Sequence, residues 1–316
     1  MITVLTGGTG GAKFVQGLAK VRSAPEITAI VNTGDDLRWW GLHVSPDLDS
    51  ITYALAGMLS PERGWGVAGD TFHCLASMRE MGAPGWFQLG DRDLATHLRR
   101  TQLLAEGKLL SKATQEIVRA YGVGTCVLPM SDARVETRVL TDAEELSFQE
   151  YFVRERCQPT PRAVRFVGAE QAKPAPGLLK AIAGAEAVLI APSNPITSIG
   201  PILAVPGIAE ALRQTAAPVV AVSPIVGGAA VSGPAGELMR MQGLPVSIVG
   251  VAQAYSAFLD VLVGDERDRG EAEAVERLGI RVHCTRTLMD SDMAKIELAR
   301  AALRAAQTVA ESEAKA

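Results

Sequence analysis

Ile2-Thr-Val-Leu-Thr6-Gly7-Gly8-Thr9-Gly10-Gly11-Ala12 opens the chain, a helical pattern runs to about residue 21, and Ile27-Thr-Ala-Ile-Val31-Asn-Thr-Gly-Asp35-Asp36 follows. Strand, glycine turn, helix, strand is the beginning of a doubly wound, mostly parallel sheet. The turn is rich in Gly because bare backbone bends tightly and can aim N–H groups at an anion on the helix N-terminus. Two familiar phosphate signatures are absent. Lys13 is followed by Phe14 and does not itself follow a glycine, so the loop is no G-x-x-x-x-G-K-[ST]. A strict G-x-G-x-x-G fails because Lys13 stands at its last position. Gly8, Thr9, Gly10 and Gly11 therefore specify a phosphate or nucleotide loop of unassigned type.

The strand rhythm returns late, at residues 187–191, 219–222, 258–263 and 280–284, separated by helical patterns at 207–213, 235–241, 271–278 and 291–306. The middle differs. Residues 50–122 are mostly helical in pattern, clearest at 93–106 and 111–121; 126–129 and 134–140 read as a pair of strands, and 147–156 as helix. The predicted organisation is an α/β core from 1–60 and 180–310, a largely helical insertion over 60–180, and a frayed tail at 311–316.

Composition narrows the function. The 316 residues are 47% hydrophobic and 21% charged, enough to bury a large core and too apolar for disorder. A net charge of −4 leaves no polyelectrolyte footprint for nucleic acid. Four cysteines and four histidines form no C-x-x-C and no H-E-x-x-H, which sets zinc and disulfides aside and points to buried thiols in a reducing cytoplasm. The N-terminus enters a strand at once, without a basic leader. Two uncharged stretches, 187–209 and 214–236, are long enough for membrane spans but are broken by prolines. No membrane segment is expected.

The chemistry concentrates at strand ends, where open α/β sheets bind ligands. Asp35 and Asp36 close the second strand, and Asp47 and Asp49 follow in Ser45-Pro-Asp-Leu-Asp49. Converging carboxylates repel one another unless a cation or proton neutralises them. With oxygen donors and no Cys or His pair nearby, Mg²⁺ is the expected ion; one of the aspartates is expected to cap a helix instead. Trp39 and Trp40 suit either stacking on a flat heteroaromatic or packing against the insertion. The loops Ser193-Asn194-Pro-Ile-Thr-Ser198 and Ser223-Pro-Ile-Val-Gly227 present small hydroxyl, amide and glycine groups suited to a phosphate or a base edge. In Leu89-Gly-Asp-Arg92-Asp93, Arg92 can reach an anion or a carbonyl, and Asp93 is a candidate N-cap.

Taken in order, Thr6-Gly-Gly-Thr-Gly-Gly11, Val31-Asn-Thr-Gly-Asp-Asp36, Ser45-Pro-Asp-Leu-Asp49, Pro61-Glu-Arg-Gly-Trp-Gly66, Leu89-Gly-Asp-Arg-Asp-Leu-Ala-Thr96, Ala191-Pro-Ser-Asn-Pro195 and Ser223-Pro-Ile-Val-Gly227 resemble the 2-phospho-L-lactate transferase (CofD) family of F420 coenzyme biosynthesis, over residues 2 to about 306. The resemblance implies a Rossmann-like core, an insertion covering the acceptor site, a cytoplasmic homodimer and a Mg²⁺-dependent transfer. The donor would be a guanosine diphosphate ester such as lactyl-2-diphospho-5′-guanosine. The acceptor would be the deazaflavin Fo, whose terminal ribityl hydroxyl attacks while GMP leaves. By resemblance, Asp36 and Asp49 hold the metal, and Asp49 and Arg92 contact the deazaflavin. No fused domain is expected beyond the transferase. A regulatory alternative, the nucleotide-sugar-binding gluconeogenesis-factor-like proteins, carries Gly-Gly-Ser-Ser after its Asp-Asp; here Leu37-Arg-Trp-Trp-Gly41 follows. No residue is assigned to the choice among lactyl, enolpyruvyl and glyceryl donors.

Overall fold

The computed structural model describes residues 1–313. Seven strands form one parallel sheet: β1 (Ile2–Thr6), β2 (Ile27–Val31), β3 (Cys126–Pro129), β4 (Ala187–Ile190), β5 (Val219–Val222), β6 (Val261–Asp265) and β7 (Arg281–Thr285). Their spatial order is β7-β6-β5-β4-β1-β2-β3. The registers Ile2↔Ile27 and Ile2↔Ala187 place β1 at the centre. Continuous burial of β1, β2, β4 and β5 explains their unbroken apolar character, since helices cover both faces of a parallel sheet.

Alternate strand residues divide between two cores. One face gathers Leu5, Ile30, Val188, Ile190 and Leu262; the other gathers Val4, Val31, Leu189, Val222 and Val263. On the second face lie α1 (Gly8–Leu18) and the long helix Asp292–Glu313, joined through Phe14, Val15, Leu298 and Ala302. Gly17 lets these two helices touch, because a side chain there would strike the Lys295 carbonyl.

The strands agree with the sequence pattern to within a few residues, and several other expectations are corrected. Helix α1 begins at Gly8, not near residue 12, so the glycines form its first turn. Residues 126–129 do not pair with 134–140. They add as β3 to the edge of the main sheet, Thr28 opposite Cys126. Glu136–Thr141 instead forms a separate antiparallel sheet with Glu145–Ser147 and Pro161–Val167. Residues 60–180 thus hold helices α3 (His73–Glu80), α4 (Asp91–Ala105) and α5 (Leu110–Ala120), one strand of the core and a small sheet of their own. The preceding helix, α2, is Pro46–Leu55. Within 147–156 the chain is helical from 148 to 154, with Glu150–Arg154 a π-turn. Residues 311–313 continue the last helix, while 314–316 lie outside the described residues. All four cysteines are free, but none is fully buried and Cys126 is exposed. No single helix among the described residues is long and apolar enough to cross a membrane; Pro195–Ala204 and Ile208–Gln214 are bent by 88°.

Candidate active site at the centre of the sheet

From β1 the chain winds outward through β2 to β3, and from β4 outward the other way to β7. The crevice beyond the carboxyl ends of β1 and β4 is therefore the switch point of the fold, the place where such sheets bind ligands. Its two lips are stapled together. The Ser193 hydroxyl donates to the Gly7 carbonyl at 2.7 Å and accepts from the Gly7 N–H at 3.2 Å. Closeness of this kind requires glycine. A Cβ on Gly10 would lie 2.5 Å from the Pro192 carbonyl oxygen, and one on Gly7 would lie 2.6 Å from Asp47 Oδ2 and 3.0 Å from Ser198 Cβ. Asp47 and Ser198 thus face the glycine loop. Gly8 adopts φ +67°, which a side chain would strain.

Around this loop the carboxylates gather as expected. Asn32 Nδ2 donates to Asp47 Oδ2 at 2.9 Å. Burial pushes the Asp47 carboxyl up to about 6, against the Asn32 amide and the Gly8 N–H, while the charges of Asp36 and Asp49 raise it further. Asp35 is pushed well above the carboxylate range by burial and then by the charges of Asp47 and Asp36. Asp36 is oriented: its Oδ2 accepts from Ser45 Oγ at 2.7 Å and lies 2.9 Å from His43 Nε2. The Oδ1 atoms of both Asp35 and Asp36 are buried without a hydrogen-bond partner. Helix α2 starts after Ser45 with Asp47 and Asp49 in its first turn, and no side chain caps it.

Asp49 turns elsewhere. Arg100 from α4 grips it with both terminal nitrogens, Nη1 to Oδ2 at 3.1 Å and Nη2 to Oδ1. Its side chain and that of Arg100 are 6% and 2% exposed, so the pair is desolvated. His97 Nδ1 lies 3.5 Å from Asp49 Oδ2, its Nε2 lies 3.3 Å from Asp93 Oδ1, and Tyr53 donates to that oxygen at 2.7 Å. Asp49, Asp93 and His97 offer ligand atoms within 4.8 Å of one another, a set that can hold a divalent metal. The sequence reading missed Tyr53, His97 and Arg100. Asp93, His97 and Arg100 share one helix face at i, i+4 and i+7. That spacing was the available signal, and the same spacing also describes an ordinary solvated face. Asp93 is not the N-cap of α4; Gly90 is, and Asp70 accepts from the N–H groups of Arg92 and Asp93.

The other expected residues separate. Trp40, at φ +51° in the tight hairpin Leu37–Trp39/Leu42–Val44, donates its Nε1 proton to the Pro84 carbonyl at 3.0 Å and packs with Trp39, Trp86 and Phe87. Arg92 is exposed and donates to the Ala68 carbonyl at 3.2 Å. Asn194 caps its own turn, accepting from Ile196 N–H at 2.9 Å. Ser223 exchanges hydrogen bonds with Ile225, and the Gly227 N–H goes to Asp268 at 2.8 Å. Ser223 and Gly227 follow β5, one strand beyond the switch point.

Fold and crevice together define a Rossmann-like α/β protein with a crevice at the switch point, between a glycine loop and a cluster of buried acids. The family described as 2-phospho-L-lactate transferase CofD matches residues 2–307, and the chain belongs to that family of transferases. It is 46% identical to a phosphoenolpyruvate transferase of Streptomyces griseus subsp. griseus, over 98% of this chain and 99% of that one. It is 42% identical to a 2-phospho-L-lactate transferase of Methanosarcina mazei, over 96% of this chain and 99% of the relative. Among solved structures, protein BH3568 of Bacillus halodurans superposes with a TM-score of 0.66 at 18% identity, covering 96% of this chain and 98% of that one, a likeness of fold.

Proposed function

We propose that this protein moves a phospholactyl-type group, 2-phospholactate or phosphoenolpyruvate, from a guanosine diphosphate ester to the terminal ribityl hydroxyl of the deazaflavin Fo, releasing GMP. The observation that carries the reading is the crevice itself. A glycine-lined helix N-terminus is stapled to Ser193 on one side and faces Asp47 on the other, at the switch point of a full-length family match. Backbone N–H groups at Gly10 and Gly11 would take phosphate oxygens, with Gly8, Thr9 and Ser198 beside them. In-line attack by an alcohol needs its oxygen held against phosphorus and the phosphate charge offset.

The donor set fits a hard divalent cation. Asp35 and Asp36 each leave a buried oxygen unpartnered, and burial with mutual repulsion raises Asp35 and Asp47. Mg²⁺ bound by Asp36 and Asp49 would neutralise the diphosphate and polarise the phosphorus–oxygen bond. Asp49 would share its lone pairs with Arg100, and Asp93 and His97 provide the alternative donors beside it. His43 and Ser45 fix the Asp36 carboxylate, and Arg100 fixes that of Asp49, so neither acid has to reorganise on binding. Asp49 also suits orientation of the attacking hydroxyl. Fo would lie between core and insertion, near Trp40 and Arg92. A homodimer working on small molecules in the cytoplasm completes the reading, supported by the family resemblance.

The test is direct. Purified protein is incubated with Fo and, separately, the lactyl, enolpyruvyl and glyceryl guanosine diphosphates, with Mg²⁺ or with EDTA. Product masses and GMP release are then measured. One donor giving the matching F420 precursor with Mg²⁺ alone is the expected result; the enolpyruvyl donor comes first, because relatives of that name reach 46% identity. No product from any donor overturns the transfer, and undiminished turnover in EDTA overturns the metal role.

A further inference from the structure

Between α2 and α3 the chain makes a closed loop that the chemistry above leaves unused. Leu59 bridges Val67, the Ser60 N–H reaches the Gly66 carbonyl at 3.0 Å, and the Gly64 N–H reaches the Ser60 carbonyl at 2.9 Å. Gly64 and Gly66 turn it at φ +72° and +67°. The tip lies on the glycine loop of the active site: a Cβ on Gly64 would sit 3.7 Å from Thr9 Cγ2. Next to Gly64 stands Arg63. Its guanidinium is sandwiched 5.4 Å from the Trp65 ring centre and 5.0 Å from that of Phe72. The Nη2 group donates to the Val67 carbonyl at 3.0 Å, and Nε is buried without an acceptor. No carboxylate pairs with it among the described residues. Neighbouring Glu62 accepts from Ser60 Oγ at 2.9 Å and influences Arg63 only through its charge.

We infer that Arg63 is a substrate-contacting cation of the transfer, binding the diphosphate of the donor across the glycine loop. Two aromatic rings hold a permanent charge in one orientation, one residue from the Gly64 tip that meets Thr9 of α1, with N–H donors left over and no protein anion to use them. A guanidinium fork matches phosphate oxygens, and fixed cations at transferring phosphoryl groups act where charge builds up. Acids line the crevice, Asp35, Asp36 and Asp47, and a fixed cation would add to Mg²⁺ in offsetting the charge of a diphosphate. In the step, the ribityl oxygen forms a bond to the phosphorus bearing the three-carbon group. The bond from that phosphorus to the bridging oxygen breaks, GMP departs with the electron pair, and the hydroxyl proton passes to a carboxylate of the site. Arg63 offsets the charge gathering on the bridging oxygen. The inference rests on the transferase reading above.

The experiment compares the full-length wild type with Arg63→Gln and Arg63→Lys in steady-state kinetics, varying donor and Fo separately. GDP binding and thermal unfolding are measured alongside. The expected result for Arg63→Gln is a fall of about a hundredfold in kcat/KM for the donor, weaker GDP binding, an unchanged KM for Fo and an unchanged unfolding midpoint. Arg63→Lys, which keeps the charge and loses the fork, recovers part of the donor kcat/KM. Normal donor kinetics in Arg63→Gln overturn the inference. Equal losses toward donor and Fo together with a lowered unfolding midpoint also overturn it, in favour of a strut for the loop. An inactive wild type that still binds GDP equally well with and without the arginine overturns both the inference and the transferase reading; an inactive wild type whose GDP binding depends on Arg63 overturns the transferase reading alone.

Discussion

Aspartates stand at the carboxyl ends of two strands of the same sheet, and Asp265 at one is built on the opposite principle to Asp35 and Asp36 at the other. After β6, Asp265 accepts from the N–H of Arg267 at 3.1 Å and from the N–H and hydroxyl of Thr287 at 2.9 and 3.0 Å. Burial works against its charge, yet these donors outweigh burial and hold the carboxyl below its usual range. After β2, Asp35 and Asp36 each bury an oxygen with no donor at all, and Asp35 is pushed upward. Asp265 is satisfied within the protein and ties β6 to the segment after β7. Asp35 and Asp36 leave acceptor oxygens unfilled. A carboxylate count at strand ends cannot separate the two cases; the supply of donors can.

Asp49 belongs to neither group, and it gives the largest expected effect. Asp49→Asn leaves the buried Arg100 charge uncompensated, at a cost of about 3–5 kcal/mol, to be measured by urea unfolding. A cost below about 1 kcal/mol would mean the pair is solvated in solution. Loss of activity in this variant therefore does not by itself identify a metal ligand. Asp36→Asn is the cleaner probe. Its hydrogen bonds from Ser45 and His43 can be kept on the remaining oxygen, so the fold should persist while turnover falls about 10²–10³-fold and the Mg²⁺ dependence weakens. Normal kinetics there would make the unpartnered oxygens of β2 a structural accident.

Asp265→Ala should do the reverse, costing about 2 kcal/mol in stability with kcat unchanged. A change in kcat larger than that in stability would break the contrast between the two strand ends. The smallest effect concerns pH. Because the Asp47 carboxyl is raised to about 6 in the folded chain, the native state binds its proton more tightly than the unfolded state. Its contribution therefore favours folding at low pH, and stability drains away as pH rises from about 4 through about 6. Asp47→Asn should flatten that slope and add about 1 kcal/mol at pH 7–8, after the altered Asn32 contact is set against the relieved burial. An unchanged slope in chemical unfolding from pH 5 to 8 would show that Asp47 is not buried as a charge.

The sheet was legible because β1, β2, β4 and β5 are short apolar runs ending in glycine- or asparagine-rich turns. The edge strand β3 was legible as a strand but its place in the sheet was not, because a four-residue run acquires its partner from β2, nearly a hundred residues earlier. Likewise α1 began earlier than its apolar pattern, since glycines carry no helical signal yet sit easily in a first turn that needs close approach. At the site, Asp35, Asp36 and Asp47 could be grouped because one strand end and the next helix carry them. The Arg100–Asp49 pair could not, because α4 reaches α2 only through the tertiary fold, and charged residues on a helix ordinarily mark its wet side.

The Ser193–Gly7 staple sets an order of assembly. The hydroxyl that fixes the glycine loop lies 186 residues later in the chain, and β4, the strand on the open side of β1, is made just before that serine. At ordinary translation rates the wait is roughly 10–40 s. Through that interval one flank of the central strand, the apolar segment Ile2–Thr6, has no neighbour in the emerging chain.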